Sequence, residues 1–250
     1  SPLSSGTASS VWVRFTRYSD GKYWDGENWN PVISTLTVSN GVNTFVSSWT
    51  ITTNLPGLSS GSSYYITASA VDDAENGGNR GAMGTSFADV IYDTHSPVSY
   101  LTAPVNVFSY KSLSSITGTM SDKPDAAGSV VNSGSALTEI RIQRLTPPTS
   151  YWTSLAWDTD SVWFAASTPT ATTWQVTGSS VPAWENGKQY LVSVRSKDRA
   201  GNQETLFQVG EDSCAFRYDI GLPTAALTIP VDGGTLNELA ENAQLTGTAV

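Results

Sequence analysis

The sequence predicts an all-β protein in which one unit of antiparallel strands is repeated, and three observations carry that expectation. The first is a fixed period. Tyr64 and Tyr190, Asp72 and Asp198, Ala74 and Ala200, and Asn76 and Asn202 are each 126 positions apart. Self-similarity of this kind outranks any single motif as evidence of architecture. The second is composition: only 14% of the 250 residues are charged, below the usual quarter, and Ser, Thr, Gly and Asn fill the gap. Val, Ile, Thr, Tyr and Trp dominate the runs between turns, which suits short, half-buried strands. The third is the lack of sustained 3.6-residue periodicity. Only Leu236–Glu241 has helical spacing, and it is too short to count.

Taken in order, Ser5–Arg17 aligns with Ser133–Leu145 at an offset of 128, each a Ser-Gly turn followed by an alternating strand. At the same offset Tyr23, Trp24 and Trp29 recur as Tyr151, Trp152 and Trp157. The intervening Asp25-Gly26-Glu27-Asn28 is a good hairpin turn, so the flanking aromatics are expected to face each other across two strands. Trp49 and Trp174 follow, each in a short expected strand. Next, Gly61-x-x-Tyr64 and Gly187-x-x-Tyr190 are turns leading into long strands that end on turns built from Asp and Asn. A last strand runs to Tyr92-Asp93 or Tyr218-Asp219, and a proline follows at Pro97 or Pro223. Val98–Pro104 then matches Thr224–Pro230, and Ser115–Thr119 matches Gln244–Thr248.

The expected division is therefore residues 1–95, a repeat lacking its first strands; 96–220, a complete repeat; and 221–250, the opening strands of a third. Val250 corresponds to Ser121 of the complete repeat and Ser1 to Ser129, so two chains placed head to tail would complete a domain across the joint. Either a longer covalent array or strand donation between separate subunits fits that pattern. The opening Ser1-Pro2-Leu3, with neither Met nor signal core, reads as a piece of something longer.

A net charge of -9 and no evident basic face argue against a nucleic-acid partner. No apolar run approaches the roughly 20 residues of a membrane span. Cys214 stands alone, so no internal disulfide is expected; the residue reads as a small buried apolar group. His95, the one histidine, sits in the linker, which offers no third group to orient a catalytic imidazole. Zinc fails on ligand count. No phosphate-binding loop and no Asn-x-Ser/Thr sequon occurs.

The Gly-x-x-Tyr turns, the Asp198-Arg-Ala-Gly-Asn202 turn and the Tyr-Asp-x-x-x-Pro linkers resemble those of tandem bacterial immunoglobulin-like domains, over nearly the whole chain. Leu58-x-x-Gly61-x-x-Tyr64 also resembles the tyrosine corner of fibronectin type III sandwiches, and Trp184 replaces Leu58 in the second copy. The resemblance implies tandem sandwiches of two antiparallel sheets. Such domains occur in very large secreted and surface-anchored bacterial proteins, with neighbouring repeats or further copies of the chain as partners. With no catalytic constellation in the sequence, the expected role is non-enzymatic: a stalk or fibre module, with a strand-donating filament subunit and an adhesin for a glycan or host protein as alternatives.

Two kinds of candidate site remain. Asp72, Asp73, Glu75 and Asn76, and Asp198 and Asn202, offer oxygen ligands suited to calcium, with Asp93, Asp219, Asp122 and Asp125 as possible additions. The same residue types also hold tight turns through their own side chains. No cofactor is otherwise required. The tryptophans could stack on a glycan, but Trp24, Trp29, Trp152 and Trp157 lie at hairpin positions, and Trp49 and Trp174 lie in strands, where packing is their expected role.

Overall fold

The computed structural model describes residues 8–38, 48–72, 86–122, 131–229, 232–233 and 246–249. Asp73, Glu75, Asn76 and Asp125 lie outside these residues, as does the segment 236–241, and the side chain of Asp72 is likewise not described.

Six strands form an N-terminal sheet: β1 (Ala8–Arg17), β2 (Lys22–Trp24), β3 (Trp29–Asn30), β4 (Leu36–Val38), β5 (Ser62–Asp72) and β6 (Phe87–Tyr92). Its order is β3-β2-β1-β5-β6, with β4 pairing onto β1. Eleven more strands make the central part of the chain. They are β7 (Val98–Ala103), β8 (Phe108–Tyr110), β9 (Ser115–Ser121), β10 (Ser135–Arg144), β11 (Ser150–Trp152), β12 (Trp157–Asp158), β13 (Phe164–Ala165), β14 (Ser167–Thr170), β15 (Thr173–Thr177), β16 (Gln189–Asp198) and β17 (Ser213–Tyr218). A hairpin of β18 (Ala225–Ile229) and β19 (Thr246–Ala249) follows.

The central strands build two sheets, β12-β11-β10-β16-β17-β8 with β13 on β10, and β14-β15-β9-β7. All pairs are antiparallel except β8 with β17. Alternate residues of each sheet point inward. Ile116, Met120, Trp174 and Val176 of one sheet meet Ile140, Ile142, Val192, Val194 and Phe216 of the other, all buried in one cluster. Gly118 makes this fit possible. A Cβ there would lie 2.0 Å from the Tyr100 carbonyl oxygen and 2.3 Å from the Trp174 ring, so only a hydrogen fits. Two packed antiparallel sheets with this strand order form an immunoglobulin- or fibronectin III-like sandwich.

The N-terminal sheet repeats the larger sheet of the sandwich, but in a different register from the 128-residue offset expected for the first strand. Arg17 pairs with Tyr64, whereas Arg144 pairs with Tyr190. Because the tyrosines are 126 apart, these strands align at 127. Val11, Val13 and Phe15 thus take the places of Thr138, Ile140 and Ile142, and all six are buried. The expected offset would have exchanged the faces, since a one-residue slip turns every side chain over. One extra residue in the turn after β10 restores the offset of 128 at Trp24 and Trp152.

Trp49 is a second correction. It is 42% exposed and lies in no strand, while Trp174 is 1% exposed on β15, opposite Gly118 of β9. Among the described residues no strand stands to residues 48–55 as β9 stands to β15, so Trp49 lacks both the ladder and the glycine cradle.

A candidate cation site at the junction

Each long strand after a Gly-x-x-Tyr turn is anchored in the same way. The Tyr64 hydroxyl accepts the Ser59 N–H and the Tyr190 hydroxyl accepts the Glu185 N–H, both at 2.9 Å. Both rings are fully buried. Around Tyr190, Trp184 packs edge-on at 4.7 Å and Trp157 and Phe216 stack at 5.8 and 5.5 Å. Trp24 and Trp29 face each other across β2 and β3 with ring centres 5.5 Å apart, as do Trp152 and Trp157 across β11 and β12 at 5.4 Å. Their indoles are spent on packing. Trp24 and Trp152 also donate their N–H groups to the Asn54 and Ser180 carbonyls.

These anchors fix where the strands end, and three ends meet at the junction. Asp93 follows β6 in the linker, Asp122 follows β9, and Asp198 closes β16. One carboxylate oxygen from each lies within 4.8 Å of the others, and the three residues are 8%, 9% and 2% exposed. Asp198 Oδ1 accepts the N–H groups of Gly201 and Asn202, and its Oδ2 accepts the Asn202 amide. That amide also donates to the Asp93 carbonyl. Asp93 accepts the N–H groups of His95 and Ser133. Burial alone would raise the Asp93 carboxyl, but hydrogen bonds from Ser133 and His95, with the proximity of the His95 side chain, outweigh it and hold the group below its ordinary value.

Asp122 is different. Its Oδ2 accepts the Gly134 N–H at 2.6 Å, but its Oδ1 is buried with no hydrogen-bond donor. Burial, with the like charges of Asp93 and Asp198, pushes the Asp122 carboxyl above the usual carboxylate range. A positive charge is what this geometry lacks. Of the residues named from the sequence as calcium ligands, the structure brings Asp198 and Asn202 here. Asp73 and Asn76 lie outside the described residues, and Asp72 contributes only backbone to the description. Asp93 and Asp122, named only as additions, are members of the cluster. Asp219 is not: it accepts the Gly221 N–H and lies 3.9 Å from Arg217. Only its residue type suggested Asp122 from the sequence, because its partners in the cluster come from other parts of the chain.

Cys214 and Glu204 are further titratable groups inside the sandwich. Burial pushes the Cys214 thiol up, in keeping with an inert packed side chain. Glu204 reaches in to accept the Ser99 and Ser196 N–H groups, tying β7 to β16 across the two sheets.

No family model matches the chain, and no curated protein matches it. Among solved structures it is similar to the fibronectin(III)-like modules of Clostridium thermocellum CbhA. That match has 13% identity and a TM-score of 0.32, covering 88% of this chain and 82% of that one.

Proposed function

We propose that the chain is a non-enzymatic structural unit of a tandem immunoglobulin-like array in an extracellular bacterial surface or filament protein, a building block of a stalk or fibre. The junction carries this reading. The linker that leaves β6 is bonded on both sides: Thr94 donates to Ser60 in the turn before β5, and Asp93 and Ser96 bond to Ser133, Asn202 and Gln203 of the sandwich. Pro97, fully buried, fixes φ where the linker enters β7. A connection held in this way transmits orientation from one repeat to the next, which is what a stalk needs.

Calcium suits the Asp93–Asp122–Asp198 cluster. The three oxygens lie within 4.8 Å of one another, close enough to share one calcium ion, whose flexible shell takes oxygens at about 2.3–2.6 Å. Asp122 Oδ1 supplies a ligand atom with no competing donor. The cation would neutralise three buried carboxylates and clamp the linker to two strand ends. Calorimetry in chelator and then in excess calcium tests this. Saturation at a hundredfold over Kd adds about 2.7 kcal/mol to stability, and Asp122→Asn should remove most of that rise. An identical melting curve in both buffers rejects calcium and leaves the array reading standing.

The β18–β19 hairpin supports a second reading. It is the sequence counterpart of β7 and β9, yet Leu227 and Ile229 are 70% and 52% exposed. Ile66 and Ala68, counterparts of the fully buried Val192 and Val194, are only partly buried. Copies could therefore join head to tail by strand donation through 221–250. Mass spectrometry of denatured native material separates the readings: a species of 26.6 kDa favours subunits, and a far larger polypeptide favours the covalent array.

A further inference from the structure

The two copies diverge on the outer face of the sheet, away from both cores. In the sandwich, Trp163 lies against that face. The Arg195 and Arg141 guanidinium groups sit 4.3 and 4.8 Å from its ring centre, and Phe207 stacks on it at 5.5 Å. Arg195 is ion-paired with Glu139 at 2.7 Å. The position is filled, and Arg195 has its acidic partner.

Strand registers identify the counterparts. Val13 pairs with Leu36 where Ile140 pairs with Phe164, so Thr35 stands where Trp163 stands. By the same registers Arg14 stands for Arg141, Ser69 for Arg195 and Trp12 for Glu139. Replacing an indole by a threonine leaves its space open. The N-terminal sheet carries a cavity of about 390 Å³ there, lined by Trp12, Arg14, Ile33, Thr35, Tyr65 and Ser69 together with Thr67. That volume is within the range of small-molecule sites.

The lining has a definite chemistry. Trp12 is 38% exposed and offers an indole face. The Arg14 guanidinium lies 5.9 Å from the Tyr23 ring centre, its Nε is buried without a hydrogen-bond partner, and among the described residues no carboxylate pairs with it. Among the described residues no acidic side chain lines the cavity. A carboxylate is the natural complement of a guanidinium fork with no acidic partner among the described residues. The hydroxyls of Thr35, Thr67 and Ser69 suit a ligand that itself carries hydroxyls.

We propose that this cavity binds a carboxylate-bearing sugar unit of an acidic polysaccharide. Trp12 stacks on the apolar face of the pyranose, Arg14 holds the carboxylate, and the threonine and serine hydroxyls meet the ring hydroxyls. The site belongs to the N-terminal sheet alone, because the sandwich fills the same position with its own Trp163.

Calorimetric titration of the full chain with tetragalacturonate, and with neutral galactotetraose of equal length, tests the proposal. The acidic oligosaccharide should bind at least tenfold more tightly than the neutral one. Thr35→Trp, which installs the sandwich's own filler, should weaken binding at least tenfold with the melting temperature kept. Arg14→Gln should erase the preference for the acid, and Trp12→Ala should weaken both ligands. Should Thr35→Trp fail to fold, the exposed Trp12→Ala and the Arg14→Gln variants carry the test. Absence of acid binding at millimolar concentration overturns the proposal, as does equal affinity for the neutral sugar. So does tetragalacturonate binding that Thr35→Trp leaves unchanged in a folded protein.

Discussion

Adding one methyl group at Gly118 should damage the sandwich more than most larger changes elsewhere. The new Cβ of Gly118→Ala would lie 2.0 Å from the Tyr100 carbonyl oxygen and 2.3 and 2.5 Å from two atoms of the Trp174 ring. Neither neighbour can retreat cheaply. The Tyr100 oxygen belongs to the β7–β9 ladder, and Trp174 is 1% exposed, with its N–H bonded to the Thr119 carbonyl at 3.1 Å. Overpacking of a core costs about 1–3 kcal/mol. Two contacts short by more than 1 Å on opposite sides place Gly118→Ala at the upper end, about 3 kcal/mol. For a domain of this size that is a fall in melting temperature on the order of 10 °C. Thermal unfolding followed by tryptophan fluorescence reads it directly, and Gly57→Ala, with nothing within 4 Å, is the control. A Gly118→Ala protein melting within about 2 °C of the parent would show that β7 and the Trp174 ring can move off β9 at little cost, and the packing account would fall.

Removing either tyrosine hydroxyl leaves a backbone N–H unpaired. Tyr190→Phe and Tyr64→Phe should therefore each cost about 1–2 kcal/mol by denaturant titration, and a neutral result for both would remove the corner as an anchor. Asp122 predicts an inverted pH dependence. Its folded pKa is raised, so the folded state holds the proton more tightly; the resulting stability is present at low pH and lost as pH climbs from the ordinary carboxylate value through the folded one. In chelator, melting temperature against pH should decline through that window for the parent and not for Asp122→Asn, whereas parallel curves refute the assignment.

How much of this was legible beforehand depended on whether the information was local. The hairpin turn at Asp25–Asn28 was readable because Asp25 makes its own bonds, accepting the Glu27 and Asn28 N–H groups. The Tyr64 and Tyr190 turns were readable because spacing and residue type repeat together. Register in β1 was not, since Ser-Gly turns matched at 128 while the buried face is set by partners across the sheet at 127. Trp49 misled for a related reason: its sequence matches that of Trp174, but burial depends on a facing strand elsewhere in the chain. The Asp93–Asp122–Asp198 cluster joins residues up to 105 positions apart, and only the fold brings them together. The Thr35 cavity was invisible for the opposite reason, because a missing indole leaves no mark in its own neighbourhood.

The parallel ladder between β8 and β17 has a mechanical meaning. Phe108, Ser109 and Tyr110 pair with Phe216, Arg217 and Tyr218, and the Tyr110 ring meets Phe216 edge-on at 5.6 Å. The polypeptide enters the sandwich through β7, which pairs with β9 of the other sheet, passes into β8, and leaves directly after β17. A pull on both ends therefore drags the two strands in opposite directions along their length and loads every rung at once. An antiparallel pair tugged from one end would instead give way a rung at a time, so this short ladder acts as a latch against stretching.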